Sequence, residues 1–166
     1  MANWKHIAVG VALLVLLGVA VKSDNRTLIA PHFAWSEVDP TGLGAKRPAV
    51  AANLALVAQK AERLRAAASA FLAKDCPLTV TPHGGYDPPE GFADGYHRKS
   101  PTSQHHSGSA LDLYTPDGFT LEGWHALAQQ QHAKEGGGLG LYPWGVHVDV
   151  RKDVAFWQET DPAADA

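Results

Sequence analysis

Along residues 48–73 apolar side chains recur at three- and four-residue steps: Leu54, Val57, Ala61, Leu64, Ala68 and Phe71. That period predicts a helix with one buried stripe, and Glu62, Arg63 and Arg65 fall off it. Pro48 suits the first helical turn, and Pro77 lies beyond the end. A shorter helix is predicted over 120–131 with Leu121, Trp124, Leu127 and Ala128 inward, stopped by Gly136-Gly137-Gly138. A period of two replaces this at 145–150 (GVHVDV), which reads as a strand. Strands are also expected at 110–114 and, more briefly, at 78–81. Residues 28–39 read as an extended lead-in with one helical turn at Ser36-Glu37, and 40–48 as a loop. Residues 82–101 are dense in Gly, Pro and Asp and read as an irregular loop of the kind that carries sites. There is no internal repeat.

The first 22 residues follow neither period. Lys5 and His6 precede an uncharged apolar run over 7–21, IAVGVALLVLLGVAV, closed by Lys22. At 1.5 Å per residue this run spans roughly 22 Å, short of the roughly 30 Å hydrocarbon core. It fits the apolar region of a signal peptide, with small residues at Gly18-Val19-Ala20, or a retained signal anchor. Either reading places the rest outside the cytoplasm, in the periplasm or cell envelope. The expected organisation is signal or anchor over 1–22, linker over 23–32, one domain over 33–159 and a frayed tail over 160–166.

Composition narrows the chemistry. The 166 residues are 45% hydrophobic and 19% charged, which predicts a packed core. A net charge of −3 argues against nucleic-acid binding by phosphate neutralisation. A single cysteine, Cys76, excludes an internal disulfide and any multi-cysteine zinc ribbon. Nine histidines accompany it, so a bound metal would be held by imidazole and carboxylate.

Two segments bring such groups together. Ser103-Gln-His-His-Ser-Gly-Ser-Ala-Leu-Asp112 delivers His105 or His106 from a Ser- and Gly-rich turn, then Asp112 from a strand. In 145–150, Val146, Val148 and Val150 share one face and His147 and Asp149 the other. Two neighbouring strands can therefore present His, Asp and His to one point. That set suits Zn²⁺ and leaves the fourth tetrahedral position to water, the catalytic rather than the structural arrangement. Zinc lowers the pKa of such a water to about 7 and polarises a carbonyl oxygen. Ser103 reads as a cap of the turn, and His83 as loop. His6, His32, His97, His125 and His132 carry no pattern and read as surface.

Ser103-x-His105-x-x-Gly108-x-Ala110-x-Asp112, followed by Tyr142-Pro143 and Val146-His147-Val148-Asp149-Val150-Arg151, resembles the D-alanyl-D-alanine carboxypeptidase-type zinc peptidases. These belong to the wider group that includes lysostaphin and the hedgehog signalling domain. The likeness is strongest to the small peptidoglycan peptidases that end in Gly-x-Gly-x-Tyr-Pro…His-x-Asp, a pattern that residues 138–149 follow, and it spans roughly 33–157. The resemblance implies an α+β fold: a small antiparallel sheet with helices on one side and a metal groove on the other, here preceded by an N-terminal hydrophobic helix. It implies zinc held by His105, Asp112 and His147, with His105 rather than His106 as the ligand. It also implies hydrolysis of amide bonds in peptidoglycan stem peptides or cross-links, in wall remodelling or phage lysis.

Two positions depart from the family. Asp87 stands where an Arg usually follows the Gly-Tyr turn, and Arg98, in the same loop, is the candidate substitute for steadying a substrate carboxylate or oxyanion. Trp144 stands where related branches carry an acid three positions before the last His. Asp149 is then the candidate general base, or else a carboxylate that orients an imidazole. The competing expectations are a zinc-containing wall-binding module without turnover, and a structural zinc domain closed by His83 or His106.

Overall fold

The computed structural model describes residues 22–23 and 26–159. The apolar run at 7–21 and the tail from 160 lie outside them. No helix among the described residues is long and apolar enough to cross a membrane.

The chain is mixed α+β. Three short strands, β1 (Lys22–Ser23), β2 (Arg26–Ala30) and β3 (Phe33–Ala34), form an antiparallel sheet that leads into one helical turn, α1 (Trp35–Val38). The expected turn at Ser36-Glu37 is therefore present, and part of the stretch read as linker is a strand. The long helix α2 (Pro48–Leu72) has Pro48 at its first turn and closes on Ala73 in the left-handed conformation. A 3-10 turn, Gln104–Ser107, precedes β4 (Ala110–Tyr114); α3 (Leu121–Glu135), β5 (Gly138–Tyr142), β6 (Gly145–Asp149) and β7 (Ala155–Gln158) complete the order.

The larger sheet runs β4-β6-β5-β7. Its first three strands pair antiparallel, but β7 lies parallel to β5. The sheet is thus mixed, not wholly antiparallel as expected. After β6 the chain passes the end of β5 and returns on its far edge, which forces a parallel pair. Leu111 lies opposite Val148, and Leu113 opposite Val146; Leu139 and Leu141 of β5 meet the same two valines. All six are buried in one core with Leu54, Val57 and Ala61 of α2 and Trp124 and Ala128 of α3. Each fully buried Leu or Val contributes about 1.5–3 kcal/mol relative to exposure.

Local differences have local causes. Phe71 belongs to the helical period but is 68% exposed, because it lies at the helix end and stacks on Phe119, 5.2 Å between ring centroids. Residues 78–81 make only one isolated bridge, Val80 to Leu113, flanked by single hydrogen bonds to β4. Pro77 and Pro82 bracket the segment and limit its ladder. The second helix extends to Glu135, with Thr120 Oγ1 capping Gly123 N–H and Gly136 ending it. Residues 82–101 form no helix or strand.

Candidate metal centre

The ladder between β4 and β6 sets Asp112 directly opposite His147 and Ala110 opposite Asp149. Since the intervening leucines and valines face the helices, Asp112, His147 and Asp149 project from the other face. His105 arrives from the 3-10 turn. Ser103 Oγ caps that turn at the His105 N–H, and Gly108 ends it with a left-handed φ of 71°. A Cβ at Gly108 would stand 2.8 Å from Val50 Cγ1, so the turn can lie against α2 only with glycine there.

Hydrogen bonds at the outer nitrogens fix where the inner lone pairs point. His105 Nδ1 donates to the Gly85 carbonyl at 2.7 Å, which leaves Nε2 as an acceptor. His147 Nε2 donates to Asp149 Oδ2 at 3.2 Å, which leaves Nδ1 as an acceptor. Those two free nitrogens are 3.1 Å apart, and lie 3.3 and 2.8 Å from Asp112 Oδ1. Three lone pairs facing one another repel unless a cation lies between them. Tetrahedral zinc with bonds of about 2.0 Å would space its donor atoms by roughly 3.3 Å. The donor set and the spacing both fit a divalent ion. Among the described residues this cluster has three members.

Electrostatics favour that use at Asp112 and His105, while His147 is biased the other way, towards the protonated form that an ion would have to displace. Burial alone would raise the Asp112 carboxyl, but the adjacent His105 and His147 hold it well below the usual range. Burial lowers His105, the imidazole that ligation requires in its neutral form. Burial would also lower His147, but its hydrogen bonds with Asp112 and Asp149 raise it.

Asp149 is fully buried and surrounded by donors. Gly138 N–H and Arg151 N–H reach Oδ1 at 2.8 and 3.0 Å, and Arg151 Nε reaches Oδ2 at 2.7 Å. Burial would raise its pKa, but the hydrogen bonds from His147 and Arg151 outweigh that and hold it far below the ordinary carboxylate value. This geometry matches a carboxylate that orients an imidazole better than one that accepts a proton near neutral pH. Arg98 Nη2 lies 2.5 Å from Asp112 Oδ2 and 3.2 Å from the His83 carbonyl. Its Nε is buried and has no hydrogen-bond partner.

A cleft of about 720 Å³ opens over this cluster, lined by Arg98, His105, Tyr142, His147, Arg151 and Trp157, among others. Trp157 bonds Tyr142 through Nε1, and its ring lies 5.1 Å from that of His147. Lys99 joins the two arginines, and among the described residues no Asp or Glu lines the cleft. His83 is elsewhere, stacked on Tyr96 and bonded to Asp94, and His106 turns towards Asp87 and Ser100. Neither joins the ligand cluster. The sequence reading missed His97, which lies on Asp87 and is delivered by tertiary folding, with no regular spacing to mark it.

Comparison with protein-family models, curated proteins and solved structures finds no match. The functional reading therefore rests on the chemistry of the site and on the motif resemblance.

Proposed function

We propose that the chain is a zinc-dependent peptidase that hydrolyses amide bonds in peptidoglycan stem peptides or cross-links. The observation that carries this reading is the convergence of His105 Nε2, His147 Nδ1 and Asp112 Oδ1 on one point beneath a solvent-accessible cleft. The motif string around these residues, with its likeness to the carboxypeptidase-type zinc peptidases, names the substrate class.

His105, Asp112 and His147 would hold the ion. When bound, zinc supplies Lewis-acid polarisation of the scissile carbonyl and a hydroxide source at neutral pH. Asp149 fixes the His147 ring through Nε2 and keeps Nδ1 aimed at Asp112. Arg98 holds Asp112 from the side away from the imidazoles. Arg98, Lys99 and Arg151 give the cleft a positive wall suited to peptides that carry carboxylates. Tyr142 and Trp157 provide an apolar flank. Residues 7–21 would export the enzyme or tether it beside the wall.

A second reading, a zinc-containing wall-binding module, is motivated by Asp87 and Trp144 at the positions of the usual Arg and acid, and among the described residues no carboxylate lines the cleft. Peptide release from purified sacculi with added Zn²⁺ separates the two. Release that chelation and Asp112→Asn abolish supports the peptidase. Tight wall binding without released peptide supports the module. Mass spectrometry of products from defined muropeptides then identifies the bond cut.

A further inference from the structure

A second group of metal-ligating side chains lies outside the centre just described. Asp87, His97 and His106 each offer a ligand atom, all within 4.8 Å of one another. Asp87 is fully buried although it sits in a loop. His97 Nδ1 lies 3.0 Å from its Oδ1, and His106 Nδ1 lies 3.4 Å from its Oδ2. The two imidazole rings are 5.0 Å apart.

His106 makes the case sharper. Its Nε2 faces the Ser100 carbonyl at 3.0 Å, while its Nδ1 faces both the Asp87 carbonyl at 3.2 Å and the Asp87 carboxylate. A neutral imidazole carries one N–H. Donation from Nε2 to Ser100 therefore aims the Nδ1 lone pair at oxygen lone pairs. A cation on the Asp87 side removes that repulsion, and so does a second ring proton. Two imidazoles and a carboxylate favour zinc over magnesium or calcium, which prefer all-oxygen sites. The His97 side chain is 46% exposed, so solvent can complete the coordination sphere.

We infer that Asp87, His97 and His106 form a second, outer divalent-metal site at the mouth of the cleft, taking Zn²⁺ or a similar imidazole-seeking ion. The inference does not depend on the hydrolytic reading. Its ligands come from the irregular loop and from the 3-10 turn, so an ion there would clamp one to the other. Asp87 also accepts the Arg98 N–H at 2.8 Å. Order at the outer site is therefore passed to the residue that grips Asp112.

The test is a zinc count. The full-length chain is stripped with a chelator, titrated with Zn²⁺, and bound metal is measured calorimetrically and by elemental analysis. Wild type should bind two equivalents. His97→Ala and His106→Ala should each lose the weaker one and keep the tighter. Asp112→Asn should show the reverse loss. One equivalent that survives both His97→Ala and His106→Ala overturns the outer site. Two equivalents that persist in both histidine variants also overturn it. One equivalent that His97→Ala abolishes and Asp112→Asn spares upholds the outer site and removes the inner one. Circular dichroism shows whether each variant is folded, and the exposed His97 makes its variant the least disruptive.

Discussion

Arg98 and Asp112, fourteen residues apart, meet through Nη2 and Oδ2 at 2.5 Å, while the other oxygen of the same carboxylate faces the imidazoles. Asp112 is thereby held from both sides. Partners of this kind are typically worth 10- to 100-fold in metal affinity or activity. Arg98→Ala should lower peptide release by about that factor while the protein stays folded and still binds zinc. Arg98→Lys should recover only part, because a point charge replaces a planar fork. Kinetics on muropeptides, with zinc content measured alongside, check this.

Asp149 predicts the acid limb of stability. Its folded-state pKa is depressed, so the folded protein binds that proton less tightly than the unfolded chain does. The stabilisation is complete above the unfolded value of about 3.9 and is lost as pH falls towards the folded value. The metal-free protein should therefore lose stability progressively between about pH 5 and pH 1. Asp149→Asn should flatten that slope. Urea midpoints across the range measure it, and an unchanged slope would refute the assignment.

Zinc should stabilise the fold by mass action. At free zinc 100-fold above Kd the gain is about 2.7 kcal/mol for one site. Chelation should lower the Tm and abolish peptide release together, and Asp112→Asn should shrink the zinc-dependent shift. Differential scanning calorimetry against zinc concentration reads both effects.

Lys60 ties α2 to the far end of the sheet. Its buried ammonium donates to the Gly136 carbonyl at 2.6 Å and to the Asp149 carbonyl at 2.9 Å. Lys60→Met leaves both carbonyls without that donor, and the buried orphan at Asp149 costs about 1–3 kcal/mol. Urea unfolding should show a loss of that order, while zinc binding at saturating metal persists.

Much of this was legible in the chain. Alternation at 145–150 placed His147 and Asp149 on the face opposite the valines, and the helical stripe gave α2 from Pro48 onward. The register of Asp112 against His147 was not readable, since pairing depends on which strands meet. Nor were β5 and β7: two glycines in five residues hide the first, and Ala155–Gln158 is too short to show a period. His97 escaped because loop residues acquire neighbours only through the folded backbone. Of the two roles open to Asp149, the donors around it favour orientation of His147, and no sequence pattern supplies that choice.

The returning strand β7 also sets an order of events. Trp157 lies against Gly140, where any Cβ would stand 2.5 Å from the indole, so the ring settles only once β5 offers a bare stretch of backbone. During synthesis, the three ligand-bearing segments emerge before that tryptophan does. One wall of the groove over the candidate metal cluster is therefore contributed by the last strand in the order, β7.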